Sequence, residues 1–440
     1  MLYRLKTNQK GLNLTRNLYN NFIMANFIVK GGKKLQGEVT VSGSKNAALP
    51  IICASLLSNE KVILENIPDI EDVRSMIKII TALGAKTSFE NNVLEIDSSK
   101  VSDKEIPNEM VTKMRASILI LGGLLPRTGK VKMQYPGGCV LGKRSVDAHT
   151  HAFKELGCEV IDDQKGIDMK CKILKGKKII LPELSVTATE NAIMASVLAQ
   201  GETEIRLAAC EPHVQDLCEF LNKRGAKIKG IGTNVLRIKG VKKLKKVKYR
   251  ITGDYLEAGT MILAAAATGG SVLVKGFNTN DLDSLWQKLE EVGVPLTIEK
   301  DNVKVNPATK LEAVRTLRTA VFPSFPTDLQ APFAVLLTQA HGVSKVFETL
   351  FEGRLNYTFE LEKMGAKINL LNPHQVLISG PTPLKGMAIA SCDIRAGAAM
   401  IIAALTAKGT TEISNINYID RGYEKIEEKL RSLGAEIERI

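Results

Sequence analysis

Six times along its length the chain runs from a helix-patterned stretch into a glycine, a small or β-branched residue, and then a strand-patterned run. The segments are ALGAK at Gly84, ELGCE at Gly157, KRGAK at Gly225, EVGVP at Gly293, KMGAK at Gly365 and SLGAE at Gly434, at intervals of 73, 68, 68, 72 and 69 residues. Self-similarity at a nearly fixed period marks a fold assembled from repeated supersecondary units. Glycine just past a helix end can take the left-handed conformation that stops the helix, which explains why the motif centres on that residue.

A second set of segments interleaves with the first. It begins at Lys45 (KNAALPIICASLL), Arg115 (RASILILGGLL), Glu190 (ENAIMASVLAQG), Glu257 (EAGTMILAAAATGG), Gln330 (QAPFAVLLTQAHG) and Arg395 (RAGAAMIIAALTAKG). A helix that is apolar all round belongs inside a protein. Each unit therefore reads as buried helix, strands, amphipathic surface helix, strand. Single cores stop growing near ~250–300 residues, so 440 residues call for two cores with three units each. The predicted boundary lies near Arg250–Gly253, before Asp254, and the opening strand from Phe27 is expected to pair with the C-terminal half. The division is then 24–43 plus 253–440 for one domain and 44–252 for the other. The class is α/β with helices inside and sheets outside, the reverse of a barrel with outer helices. The first 23 residues carry Arg4, Lys6, Lys10 and Arg16 and no acid, without an apolar core segment or a small-residue cleavage site. They read as an N-terminal extension, disordered or not native.

The longest apolar runs, such as Ala48–Leu57 and Ala398–Leu405, are too short to span a bilayer, so no membrane association is expected. The net charge of +13 admits two readings, a polyanion such as nucleic acid or small anionic substrates. The lysine run at Lys242, Lys243, Lys245, Lys246 and Lys248 reads as a solvated face. Seven cysteines at irregular spacings, with no CxxC pair, argue against a disulfide framework or a zinc site and for a reducing, cytoplasmic setting.

The functional signal lies in polar residues at the mouths of otherwise apolar helices. Lys45 and Asn46, Arg115 and Arg395 open such helices, where a cation joins the helix N-terminal N–H groups in attracting anions. Each alone is a snorkelling side chain, but three at equivalent positions point to a polyanion site between the domains. Pro136-Gly137-Gly138-Cys139-Val140-Leu141-Gly142-Lys143-Arg144 is either an ordinary turn or a mobile loop whose cations activate the thiol. Asp328, in FPTDLQ, precedes a buried helix, where an N-cap is the simpler reading and a catalytic carboxylate the alternative. Arg421, in IDRGYE, sits in a turn that a salt bridge would explain. His149 and His151 flank an expected helix start and lack a third ligand, so no metal is assigned.

GEVTVSGSKNAALPI (Gly37–Ile51), MRAS (Met114–Ser117), PGGCVLGKR followed by VDAH (Pro136–His149), FPTDLQA (Phe325–Ala331), FEGR (Phe351–Arg354), and IDRGYEKI with LGAEIERI closely resemble the UDP-N-acetylglucosamine 1-carboxyvinyltransferase family. The resemblance runs from Met24 to Ile440. It implies the enolpyruvyl transferase fold: two inverse α/β barrel domains built from six βαβαββ-type repeats, with substrate between them. It implies transfer of the enolpyruvyl group of phosphoenolpyruvate to the 3-hydroxyl of UDP-N-acetylglucosamine, the first committed step of peptidoglycan synthesis. Cys139 would protonate the methylene carbon and Asp328 would take the hydroxyl proton. Lys45, Asn46, Arg144, Arg354, Arg395 and Arg421 would hold phosphoenolpyruvate. Arg115, Arg144, Ser145, Val146, Asp147, Ala148, Ser185, Val186, Asp328 and Leu350 would line the UDP-sugar site. No metal or organic cofactor is implied, no nucleic-acid partner, and a monomer is expected. The chain departs from the family pattern at Ser145 (commonly proline), Glu183 (often basic) and Thr187 (frequently glycine), which bears on the diphosphate contacts and not on the reaction. Three rival readings are the sister enzyme acting on a shikimate-type substrate, a ring-shaped nucleic-acid clamp, and an inactive paralogue with a regulatory role, which the complete set of matching residues argues against.

Overall fold

The computed structural model describes residues 25–104, 106–137 and 145–440. The extension at 1–23, Cys139 and Arg144 lie outside the described residues.

Apolar side chains gather into two cores. One runs from Ala47 to Ile251; the other joins Phe27–Val41 to Tyr255–Ile437. Helices Lys45–Ala54, Ile120–Thr128 and Val186–Val197 lie in the first, and Tyr255–Ala267, Gln330–Thr338 and Ile394–Thr406 in the second. In the last of these every residue from Arg395 to Leu405 is buried, as an all-round apolar pattern demands. The three helices of the second core pack on one another, and the middle helix of the first packs on both its companions.

Among the described residues six sheets cover these helices, three to a core, five of four strands and one of three. Each four-stranded sheet repeats one plan, a single parallel pairing beside two antiparallel ones. The strands alternate: in Glu202–Arg206, Thr203 and Ile205 are buried while Glu202 and Arg206 are exposed. One face of each sheet thus meets the helices and the other meets water. The architecture is two inverse α/β barrels. Phe27–Lys30 lies antiparallel between Thr410–Ser414 and Glu436–Arg439. The six repeat glycines all have positive φ, from 87° to 107°.

Small residues let the buried helices touch. A Cβ on Gly123 would stand 2.4 Å from the Cys53 carbonyl oxygen, where the first two helices meet. Backbone cannot yield there cheaply, so Gly123→Ala is expected to lose roughly 1–3 kcal/mol by overpacking. A urea unfolding midpoint equal to that of the parent would contradict this packing.

The chain crosses between the cores at Val41–Ser44 and again at Ile251–Asp254. Gly43 and Gly253 pair there as an antiparallel bridge, with Ser44 N–H to Thr252 O and Asp254 N–H to Ser42 O both at 2.8 Å. A Cβ would fall 1.7 Å from Asn66 O at Gly43 and 1.8 Å from Gly276 O at Gly253.

Three local expectations change. The segment opened by Arg115 begins as a 3₁₀ turn, Arg115–Leu119, and becomes α-helical only at Ile120. His149 and His151 sit within the helix Asp147–Glu155 and do not flank its start. Asp328 lies inside a 3₁₀ turn, Thr327–Leu329, and its side chain caps nothing, because two arginines claim it. Among the described residues no helix is long and apolar enough to cross a membrane.

Candidate active site

Two carboxylates organise the cations at the junction. Asp328 Oδ1 accepts from Arg354 Nη2, and Asp328 Oδ2 accepts from Arg395 Nε at 3.0 Å. The arginine side chains are 6% and 5% exposed and the Asp328 side chain 25%, so the group is largely buried and Asp328 is its most open member. Burial would raise the Asp328 pKa, but Arg395 and Arg354, with a smaller share from Lys45, hold it well below the usual carboxylate range. Arg354 Nε also donates to Thr327 Oγ1 at 3.2 Å, and Thr327 Oγ1 donates to Glu348 at 2.8 Å. Arg395 stacks over the Tyr423 ring, 5.2 Å from its centroid. Leu350, exposed, borders this group through its N–H to Glu348 at 2.9 Å.

The second carboxylate is Asp72, in the first turn of the outer helix Glu71–Ala82. Lys45 Nζ lies 2.9 Å from Asp72 Oδ2, and Arg421 Nε lies 2.9 Å from Oδ1. Lys45 and Asp72 belong to the half with the first core and Arg421 to the other, so this ion pair spans the junction. Burial pushes Asp72 upward, and Lys45 and Arg421 more than reverse it, leaving its pKa lowered. Lys45 N–H also donates to Asp254 Oδ2 at 3.3 Å, and Asp254 caps Tyr255–Ala267 through the N–H groups of Leu256 and Glu257. Asn46, next to Lys45 in the chain, is half-buried while the rest of the Lys45–Ala54 helix is buried.

The structure therefore brings Lys45, Asn46, Arg354, Arg395, Arg421 and Asp328 to one junction. Arg115, Ser145, Val146, Asp147, Ala148, Ser185 and Val186 group separately in the first half. Arg115 Nη2 donates to Ser145 O at 2.6 Å, and Ser145 Oγ accepts from Asp147 N–H at 2.8 Å. Val146 and Ala148 are buried. Ser185 precedes the helix Val186–Val197, whose Thr187 Oγ1 meets His149 Nε2 at 3.2 Å. His149 Nδ1 meets Asn191 Nδ2 at 2.8 Å, and burial, with Arg115 nearby, pushes its pKa down to about 3, so it acts as a neutral spacer. Glu183 is exposed.

Sequence reasoning missed Asp72, Glu211 and His213. His213 Nδ1, Glu211 Oε2 and Arg395 Nη1 are buried atoms without a protein partner. Burial and then Arg395 depress His213 to about 4, with Asp328 opposing. The unpartnered Arg395 Nη1 donor beside the other cations suits an anionic oxygen, while Glu211 Oε2, an acceptor, suits a ligand hydroxyl or N–H. Among the described residues no group of His, Cys, Asp and Glu is disposed to hold a metal.

The sequence model of the EPSP synthase (3-phosphoshikimate 1-carboxyvinyltransferase) family matches residues 29–430. The UDP-N-acetylglucosamine 1-carboxyvinyltransferase of Borrelia garinii subsp. bavariensis is 44% identical over 95% of this chain and 99% of its own. UDP-N-acetylglucosamine 1-carboxyvinyltransferase 1 of Caldanaerobacter subterraneus subsp. tengcongensis is 45% identical over 94% of this chain and 99% of its own. Among solved structures, the enolpyruvyl transferase NikO from Streptomyces tendae superposes with a TM-score of 0.85 at 23% identity, covering 95% of this chain and 99% of that one. EPSP synthase from Acinetobacter baumannii gives a TM-score of 0.74 at 19% identity, covering 95% and 100%. The two solved structures share the fold, while identity along nearly the whole chain carries the narrower assignment: the chain belongs to the EPSP synthase superfamily and, within it, to the UDP-N-acetylglucosamine 1-carboxyvinyltransferase family.

Proposed function

We propose that this chain transfers the enolpyruvyl group of phosphoenolpyruvate to the 3-hydroxyl of UDP-N-acetylglucosamine with release of phosphate, the first committed step of peptidoglycan synthesis. It does so in the cytoplasm, as a monomer of two domains (24–43 plus 253–440, and 44–252), without a nucleic-acid partner. The observation that carries the reading is the convergence of Lys45, Arg354, Arg395 and Arg421 on two carboxylates at the junction of the halves.

The reaction needs an acid at carbon, a base at the hydroxyl, and cations around a carboxylate and a phosphate. Cys139 protonates C3 of the enol while the sugar oxygen bonds to C2 and its proton passes to Asp328. The Cys139 thiolate then takes a C3 proton back, restoring the double bond as the C2–O bond to phosphate breaks, and the departing phosphate carries off the proton held by Asp328. These steps call on no metal or organic cofactor. Lys45, Asn46, Arg144, Arg354, Arg395 and Arg421 hold the phosphoenolpyruvate anion. Arg115, Arg144, Ser145–Ala148, Ser185, Val186 and Leu350 line the UDP-sugar side.

Asp328 gripped by two arginines is a poor base. An arriving dianion competes for Arg354 and Arg395, which loosens their hold and raises the basicity of Asp328 when it is needed. Phosphoenolpyruvate thus acts as substrate and as the switch for its own base.

The reading is tested at Cys139. An epoxide bearing a phosphonate should alkylate that thiol alone among the seven, because burial keeps Cys53, Cys158 and Cys218 protonated. Phosphoenolpyruvate should protect it. Peptide mass spectrometry showing spread modification, or none, would contradict the assignment.

A further inference from the structure

Arg421 must reach across the junction to join Lys45, and the turn that carries it is built with care. A Cβ on Gly422 would lie 2.4 Å from Ile394 Cγ2, so the backbone is pressed onto the second core. Lys425 holds a left-handed conformation, φ 47°, that non-glycine residues adopt only under constraint. Between them Glu424 points away from its own core. Its Oε1 accepts from Asp69 N–H at 3.0 Å and from Asn92 Nδ2 at 2.7 Å, both in the other half. Its Oε2 accepts from Ser42 Oγ at 2.5 Å, on the crossing segment. Ser42 Oγ in turn accepts from Lys429 Nζ at 2.7 Å, and Lys429 is paired with the buried Glu257.

Asn92 is itself fixed. It sits at φ 59° in the turn between strands Lys86–Glu90 and Val93–Asp97, and its Nδ2 also donates to Ile67 O at 2.8 Å. Asp69 lies three residues before Asp72. One of the receptors for Glu424, the Asp69 N–H, and the carboxylate that holds Arg421 are therefore parts of one short stretch.

We propose that Glu424 is a positioning residue that docks the Arg421 turn onto the opposite half, so that closing the two halves and delivering Arg421 to the phosphoenolpyruvate site are a single event. A carboxylate is suited to this because one group takes three donors from three separate segments. Glu424 reaches no substrate in this account and acts through Arg421. The inference rests on the proposed role of Arg421 in holding phosphoenolpyruvate.

Steady-state phosphate release is measured for the parent, Arg421→Ala, Glu424→Ala, Asn92→Ala and the Glu424→Ala/Asn92→Ala pair, with UDP-sugar titration and thermal melting on each. Arg421→Ala tests the underlying reading first: KM for phosphoenolpyruvate unchanged in that variant would remove the basis of both. Given a rise there, Glu424→Ala should raise the same KM about tenfold, the scale of one charge-assisted bond. The UDP-sugar Kd should stay within about twofold. Asn92→Ala should act in the same direction, and the double variant should be no worse than Glu424→Ala, since both remove one contact. Parent-like KM in Glu424→Ala, or losses that multiply in the double variant, would overturn the proposal. So would equal weakening of both substrates in parallel with a lowered melting temperature, the mark of a purely structural role.

Discussion

Replacing Asp328 by asparagine is expected to cut turnover by roughly 10²-fold or more, the usual scale of general-base catalysis. Asparagine keeps the shape and can still accept a hydrogen bond from the sugar hydroxyl, so the UDP-sugar should bind. It loses the charge that competes for Arg354 and Arg395, so KM for phosphoenolpyruvate should not rise. That split, lost turnover with retained binding, separates a base from a scaffold. Stability falls as well, because removing one partner of a buried ion pair costs about 3–5 kcal/mol, and rates must be taken well below the melting point of the variant. The sign of the pH effect follows from the depressed pKa values of Asp72 and Asp328. Both folded values lie below the unfolded one, near ~3.9. Their contribution is therefore complete above that value and disappears as pH falls through the lower folded ones. A variant that folds, binds both substrates and turns over within a few-fold of the parent would remove Asp328 from the mechanism.

Lys45→Gln carries the second large effect. Lys45 is 8% exposed, sits at the start of a buried helix and shares Asp72 with Arg421. An anion bound there gains a charge-assisted bond in a site shielded from water, and losing one such preorganised donor lowers kcat by about 10²–10³-fold. The drop should fall on kcat and on kcat/KM for phosphoenolpyruvate, with the UDP-sugar Kd unchanged. Lys246→Gln, on the exposed lysine run, should leave all three within about twofold, as surface charges contribute little. Similar losses in both variants would mean that net charge, and not this site, drives substrate capture.

The periodic parts of the fold were readable because they follow local rules. A glycine in the left-handed region and an alanine-rich stretch that is apolar all round declare themselves within a dozen residues. Lys45 and Arg395 stood out because a cation at the mouth of such a helix breaks its pattern. Asp72 did not, since an acid in the first turn of an amphipathic helix is what the helix dipole favours anyway. Only the packing of Glu71–Ala82 against the Lys45–Ala54 helix, with Arg421 reaching over, gives it another task. Glu424, Asn92 and Asp69 were silent for the same reason, being polar residues in turns that sequence alone assigns to solvent. At Asp328 local rules favoured an N-cap, and two arginines from distant segments outbid the backbone N–H groups.

The central claim is that the paired cations hold phosphoenolpyruvate while a UDP-sugar accepts its enolpyruvyl group. It is tested most directly by mixing the protein with phosphoenolpyruvate and either UDP-N-acetylglucosamine or shikimate 3-phosphate, and following phosphate release together with the mass of the product. The account predicts release with the UDP-sugar only, matched one for one by a product heavier by the enolpyruvyl group. Release with shikimate 3-phosphate and none with the UDP-sugar would contradict it.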